Sequence, residues 1–238
     1  MQLEGKNAII TGASSGIGAE FSKALTQKGC RVYGIARRTE RLEKLQSDLG
    51  DLFVPVTLDV NDHQKVEDWV QDTFTAGSNE EKPKPDILIN NAGLGIFGGV
   101  DELSPEDWDT MIQTNLTSVF RLTRLIVPLM KKDKNTNHII NIASVAGLLG
   151  NPNISGYNAT KFGLRGFSEA LMKELRNDLI KVTCIYPGSI ATEFSDHNHP
   201  NMMQGSDVAD TVVYLLETPD NFLIDEITMR PLVPRKPA

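Results

Sequence analysis

The chain has 238 residues, of which 40% are apolar and 23% are charged, a composition typical of a globular protein. No linker rich in proline, glycine or serine divides it, so we expect a single domain spanning residues 1–238. The formal net charge of −7 argues against nucleic-acid binding. No apolar run approaches the ~20 residues that cross a bilayer, and no secretory signal precedes the first predicted strand. We therefore expect a cytoplasmic protein that binds neither nucleic acid nor membrane.

Short apolar runs alternate with longer amphipathic segments along the whole chain. This alternation predicts an α/β fold in which parallel strands are joined by right-handed crossovers, with helices on both faces of a seven-stranded sheet. Pro55 favours an edge position for the third strand, and Pro128 predicts a kink near the end of a long helix. In chain order the predicted elements are strand 7–10, helix 16–28, strand 31–36, helix 39–49, strand 53–58, helix 62–75, strand 86–90, helix 105–131, strand 138–143, helix 155–179, strand 181–186, helix 207–217 and strand 223–229.

The cysteines and histidines give no metal-binding pattern. Cys30 and Cys184 are far apart in the chain, and we expect both to be buried thiols. His197 and His199 are two residues apart without a third ligand at a recognised spacing, which is more typical of an exposed loop. We predict no metal site.

A glycine-rich turn, Thr11-Gly12-Ala13-Ser14-Ser15-Gly16-Ile17-Gly18, lies between the first predicted strand and the first predicted helix. In such a turn the backbone N–H groups and the helix N-terminus face an anion, and the glycines let a pyrophosphate approach the backbone. A purely structural turn is the alternative. The spacing differs from Gly-x-Gly-x-x-Gly and resembles the Thr-Gly-x-x-x-Gly-x-Gly of the short-chain dehydrogenase/reductase family, a resemblance that covers nearly the whole chain.

The resemblance implies a single, doubly wound Rossmann-type domain that binds a nicotinamide dinucleotide along the carboxyl edge of its sheet. It assigns Asp59 and the Val60 backbone to the adenine. The run after the fourth strand forms the floor under the cofactor, and the Ile190 backbone and Thr192 hold the carboxamide. The cofactor-binding residues expected on this basis are Gly12, Ser14, Ser15, Gly16, Ile17, Gly18, Arg37, Arg38, Asp59, Val60, Asn91, Ala92, Gly93, Tyr157, Lys161, Pro187, Gly188, Ile190 and Thr192.

The end of the second strand predicts NADP(H) rather than NAD(H). Ala36 stands where the NAD-preferring members of the family carry an aspartate, and Arg37 and Arg38 follow it. A carboxylate would repel the 2′-phosphate of NADP(H), whereas a guanidinium binds a phosphate through paired hydrogen bonds. We therefore expect Arg37 to be the main phosphate contact, with Ser14 and Arg38 assisting. The alternative is that both arginines are solvated charges at a helix entry.

Tyr157 and Lys161 are the central candidates for catalysis. They are four residues apart in a predicted helix, so they share one face, and a nearby ammonium is expected to lower the pKa of a tyrosine. Ser144 follows the fifth strand, where its hydroxyl can bond a substrate oxygen. The resemblance assigns Asn115 to a water that links Lys161 to solvent, which completes a catalytic set of four. The predicted reaction interconverts a carbonyl and a secondary alcohol by hydride transfer, with Tyr157 as general acid or base.

Two other functions remain open at this stage: a catalytically silent sensor or scaffold protein that binds NADP(H), and another enzyme of this architecture, such as a methyltransferase. The methyltransferase hypothesis leaves Arg37 and the set of Ser144, Tyr157 and Lys161 without a role.

The remaining expectations concern substrate and assembly. The end of the chain lacks the glycine-rich run of many family members, and it resembles the branch of 3-hydroxy acid (serine-type) dehydrogenases and sepiapterin-reductase-like proteins. Apolar residues on several faces of the helices around Asn115 and Tyr157 predict a homodimer or homotetramer. Residues expected near a small-molecule carbonyl or alcohol substrate are Leu94, Ile96, Phe97, Leu148, Leu149 and Asn153, with Phe194, Met202 and Met203 in a short lid.

Overall fold

One parallel sheet organises the fold. The computed structural model describes residues 1–75, 82–132, 134–193 and 201–233. The strand order is β3-β2-β1-β4-β5-β6-β7, and every neighbouring pair is parallel. The predicted seven-stranded parallel sheet is thus confirmed. The strands are β1 (Asn7–Thr11), β2 (Arg31–Ala36), β3 (Phe53–Thr57), β4 (Ile87–Asn90), β5 (Asn137–Ile142), β6 (Ile180–Pro187) and β7 (Glu226–Met229).

Helices cover both faces of the sheet, because successive strand residues point to opposite sides and both sides are apolar. In β1, Ala8 and Ile10 belong to one buried cluster and Ile9 belongs to the other. The first cluster packs on α1 (Gly16–Gln27), α2 (Thr39–Leu49) and α7 (Gly205–Glu217), and the second on α3 (His63–Phe74), α5 (Ser118–Met130) and α6 (Ser155–Leu175).

The long helix predicted at residues 105–131 is divided, and the division is not at Pro128. It consists of α4 (Pro105–Ile112), a π-helical turn (Gln113–Thr117) and α5, which continues through Pro128 to Met130. A π turn inserts one residue into a helix and changes the direction of the side chains after it. Here it is formed around Asn115, whose side chain bonds outside the helix.

Other local expectations are met or adjusted. β3 lies at the edge of the sheet, as Pro55 predicted. The helix predicted to reach residue 179 ends at Leu175 and continues as a 3-10 turn to Asp178. Cys30 and Cys184 are free and buried, as expected. His197, His199 and Phe194 fall outside the described residues. No helix in the described part of the chain combines the length and apolar character needed to span a membrane.

Candidate active site

A cavity of about 730 Å³ opens at the carboxyl edge of the sheet. It lies beside β1, where the strand order reverses because β2 and β4 flank β1 on opposite sides. Ligands of open α/β sheets bind at such a position. Most of the predicted site residues line this cavity, but Gly18 and Asn115 do not. Those that line it are Gly12, Ser14, Ser15, Gly16, Ile17, Arg37, Arg38, Asp59, Val60, Asn91, Ala92, Gly93, Ser144, Tyr157, Lys161, Pro187, Gly188, Ile190 and Thr192.

The glycine-rich turn is fastened to the end of β4. The Thr11 hydroxyl accepts hydrogen bonds from the backbone N–H groups of Asn91 (3.0 Å) and Ala92 (2.9 Å), and the Asn91 amide donates to the Thr11 carbonyl at 2.9 Å. Gly12 and Gly16 have φ values of 70° and 53°, a conformation that favours glycine. The turn therefore presents the N-terminus of α1 to the cavity in a fixed position, which suits an anionic group.

Gly18 supports the turn from behind. A Cβ atom on Gly18 would overlap the Gly12 carbonyl oxygen and lie 2.6 Å from the Asn91 side-chain nitrogen. The absence of a side chain at this position lets α1 approach the turn closely. Gly18 thus shapes the cavity without lining it.

The two arginines after β2 differ in how firmly they are held. Arg38 donates to the Ser14 hydroxyl from two of its nitrogens, at 3.2 and 3.1 Å. The Arg37 side chain is 74% exposed, and its closest charged partner is an Asp59 oxygen at 4.0 Å. Both line the cavity together with Asp59 and Glu193, so this end of the site carries charges of both signs, and Arg38 has the more restricted guanidinium.

Tyr157, near the N-terminus of α6, is buried at the other end of the cavity. Its ring contacts the exposed Phe97 ring edge to face, with centroids 5.7 Å apart. Burial raises the pKa of Tyr157 to about 12, and a hydrogen bond with the Ser144 hydroxyl offsets only part of this rise. The pKa of Tyr157 is therefore raised, contrary to the expected lowering, because burial disfavours the phenolate.

Lys161 lies beneath the tyrosine, one helical turn further along α6. Its ammonium is 5.7 Å from the centroid of the Tyr157 ring and donates to the Ile142 carbonyl at 3.0 Å. Only 4% of the residue is exposed, and burial lowers the pKa of Lys161 to about 8. Burial therefore favours the neutral forms of both the phenol and the amine.

Asn115 lies behind this pair and fixes the chain after β4. Its side-chain oxygen accepts from the Leu94 N–H at 2.9 Å, and its nitrogen donates to the Leu94 carbonyl (2.7 Å) and to the Thr160 hydroxyl (3.1 Å). A Cβ atom on Gly93 would lie 3.2 Å from the Asn115 oxygen and 3.6 Å from the Lys161 nitrogen. Asn115 and Lys161 therefore share the space behind Gly93.

The segment after β6 closes one side of the cavity. Ser189 has a φ of 54°, and Ile190 pairs with Met203 as an isolated bridge. Thr192 approaches the glycine-rich turn, since a Cβ atom on Gly16 would lie 3.5 Å from its side chain. The segment therefore joins the glycine-rich turn to the end of the cavity that holds Tyr157.

Several lining residues were not predicted from the sequence, chiefly Glu193, Asn61 and Thr114. Asn61 donates to the Thr114 hydroxyl at 2.9 Å and so links the end of β3 to the π turn. For Asn61, the sequence signal that could have predicted its place in the cavity is its position two residues after Asp59. Among the expected substrate contacts, the cavity is lined by Leu94, Phe97 and Met202 but not by Ile96, Leu148, Leu149, Asn153 or Met203.

Comparison with known proteins gives consistent matches over this architecture. A model of the short chain dehydrogenase family matches residues 6–202. An uncharacterized oxidoreductase of Staphylococcus epidermidis is 31% identical over 97% of this chain and 99% of its own length. A 3-oxoacyl-(acyl-carrier-protein) reductase of Haemophilus influenzae is 36% identical over 82% of this chain and 78% of its own. The closed form of a serine dehydrogenase complexed with NADP+ superposes with a TM-score of 0.88 at 31% identity, covering 98% of this chain and 97% of that one.

Proposed function

The chain belongs to the short chain dehydrogenase family, whose relatives include oxidoreductases, and we propose that it is an NADP(H)-dependent enzyme that interconverts a carbonyl and a secondary alcohol. In this proposal residues 1–238 act as one catalytic domain. The observation that carries it is the convergence of Ser144, Tyr157 and Lys161 at one end of a cavity whose other end holds a glycine-rich turn and two arginines.

The cofactor assignment is supported by the two arginines at one end of the cavity. Arg38, whose guanidinium donates to Ser14, and the more exposed Arg37 would bind the 2′-phosphate of NADP(H). The N-terminus of α1 provides N–H groups for the pyrophosphate. Structural neighbours solved with NADP+ or NADP have TM-scores of 0.88 and 0.84 against this chain. When bound, the reduced nicotinamide supplies the hydride.

Side chains of the protein would transfer the proton that accompanies the hydride. In carbonyl reduction Tyr157 donates its proton to the substrate oxygen, while the Ser144 hydroxyl hydrogen-bonds the same oxygen and stabilises the developing charge. The raised pKa of Tyr157 keeps the phenol protonated at neutral pH, which is the form required for donation. Lys161 holds the proton that replenishes the phenol, and Asn115 holds the backbone that forms the wall behind it. Alcohol oxidation is the reverse, with Tyr157 as the base.

The catalytic end of the cavity favours an uncharged, partly apolar substrate. Leu94, Phe97 and Met202 line it, and among the described residues there Lys161 is the one cation. A 3-oxo or 3-hydroxy acid would require a further cation for its carboxylate. The resemblance to serine-type dehydrogenases thus suggests a shared scaffold more than a shared substrate.

The Tyr157→Phe variant tests the proposal, because it removes one hydroxyl and keeps the ring contact with Phe97. We expect NADPH-dependent turnover of a ketone panel to fall by at least about 10³-fold, within the usual range for a positioned acid, with NADPH affinity and melting temperature unchanged. Trp108→Phe, on the exposed face of α4, is the matched aromatic control. A folded Tyr157→Phe protein that turned over near the parent rate would contradict the mechanism. A parent that bound NADPH but turned over none of the panel would instead favour the silent sensor or scaffold.

A further inference from the structure

A carboxylate of the chain itself contacts the arginines at one end of the cavity. Both oxygens of Glu193, the residue after Thr192, accept hydrogen bonds at 2.8 Å from one nitrogen of Arg41 in α2. One of these oxygens also lies 3.4 Å from Arg38. The three charged side chains are 44–61% exposed. Because burial does not force them together, the attraction between charges holds the contact, and a competing anion can replace it.

The Arg38 guanidinium is prepared for such an exchange. The Ser14 hydroxyl accepts from two of its nitrogens, while the third is directed at Glu193. Carboxylates and phosphates bind guanidinium groups through the same planar arrangement of N–H donors. Ser14, Arg38 and Glu193 all line the cavity. A phosphate entering this end therefore meets N–H groups that already bind an anion.

We infer that Glu193 determines cofactor specificity: its carboxylate occupies Arg38 and Arg41 in the free protein, and the 2′-phosphate of NADP(H) displaces it. This inference rests on the proposed function and adds Arg41 to the phosphate site. The exchange weakens NADP(H) binding selectively, since the neutral 2′-hydroxyl of NAD(H) displaces nothing. The hydrogen bond from Arg41 also lowers the pKa of Glu193, so the carboxylate is ionised at neutral pH.

The test compares Glu193→Gln with a matched surface variant. Glu217→Gln also removes one negative charge and one exposed ion pair, that with Lys28 at 2.8 Å, and Glu217 does not line the cavity. The dissociation constants of NADPH and NADH are measured from the change in nucleotide fluorescence on binding. We expect Glu193→Gln to tighten NADPH binding about three- to fivefold, as for loss of one competing exposed ion pair. NADH binding should be unchanged, and Glu217→Gln should match the parent.

Arg41→Gln provides the complementary measurement. It should weaken NADPH binding about threefold to fivefold without affecting NADH, and 0.5 M salt should reduce the effects of both substitutions at the phosphate site. The inference is overturned, and the proposed function survives, if the parent binds NADPH while Glu193→Gln behaves like Glu217→Gln or shifts NADPH and NADH alike. It is likewise overturned if Arg41→Gln leaves NADPH binding unchanged. A parent that binds neither nucleotide overturns the proposed function and this inference together.

Discussion

Gly18 provides a quantitative test of how the glycine-rich turn is built. A Cβ atom there would overlap the Gly12 carbonyl oxygen and approach the Asn91 nitrogen to 2.6 Å. Neither neighbour is the free end of a flexible side chain, because Gly12 presents backbone and the Asn91 amide is bonded to the Thr11 carbonyl. Gly18→Ala must therefore move the turn away from α1.

Three effects set the size of the change in stability. Alanine in place of glycine within a helix contributes about 1 kcal/mol of stabilisation. Overpacking costs about 1–3 kcal/mol, and loss of the hydrogen bond between Asn91 and Thr11 costs about 1 kcal/mol. We expect a net decrease of about 1–3 kcal/mol in the free energy of unfolding. NADPH binding should weaken by about tenfold, corresponding to about 1.4 kcal/mol, since the N–H groups of the turn are displaced.

Urea unfolding followed by circular dichroism, together with NADPH titration, measures both quantities. Gly166→Ala in α6 is the control, because its added Cβ atom meets nothing within 4 Å beyond its own helix. That variant should gain up to about 1 kcal/mol and bind NADPH as the parent does. If Gly18→Ala were as stable as Gly166→Ala, or bound NADPH with unchanged affinity, the close approach of α1 to the turn would not have the role assigned to it.

Two pH dependences follow from the buried groups. Alcohol oxidation needs the Tyr157 phenolate, and burial raises the pKa of Tyr157. Log kcat/KM for oxidation should therefore rise by about one per pH unit between pH 6 and 9, while log kcat/KM for ketone reduction stays nearly level. An oxidation rate that fell with rising pH would contradict the assignment. Burial lowers the pKa of His138 to about 3, whereas the pKa of a histidine in the unfolded chain is about 6.5. Above pH 6.5 the imidazole is neutral in both states, so its contribution to stability does not change with pH. Below pH 6.5 only the unfolded chain binds the proton, so the free energy of unfolding should fall by about 1.4 kcal/mol per pH unit. Urea unfolding at pH 7.0 and 5.5 should show a steeper loss for the parent than for His138→Gln, and equal losses would refute the attribution to His138.

Much of the site was predictable because its residues follow the carboxyl ends of parallel strands. The glycine-rich turn, Arg37 and Ser144 each follow a buried strand, and parallel topology brings these positions to one edge regardless of the details of packing. The spacing of Tyr157 and Lys161 similarly determines that they share a helical face. These local patterns were sufficient to predict the sheet and most of the residues that line the cavity.

Features that depend on distant side chains were not predictable in this way. The contact of Glu193 with Arg41 joins residues 152 positions apart, and no periodicity indicates it. The π turn arises where Asn115 bonds the Leu94 backbone and Thr160, contacts that a helical pattern does not encode. Pro128 is a recognised helix breaker, yet α5 continues through it and ends two residues later, at Met130.

The pKa values separate two roles that the sequence suggested for Lys161, namely lowering the pKa of Tyr157 and supplying it with protons from solvent. A lysine that mainly stabilised a phenolate would lower the pKa of Tyr157, but burial raises that pKa to about 12 and lowers that of Lys161 to about 8. Of the two groups, the amine is therefore the one that exchanges protons near neutral pH, while the phenol keeps its proton until a substrate oxygen accepts it. Under the proposed function, Lys161 acts as the proton source for Tyr157, and the Ile142 carbonyl that accepts its hydrogen bond at 3.0 Å holds it in position. Lys161→Met should then suppress repeated turnover more strongly than the first proton transfer, because the first proton is already on the phenol.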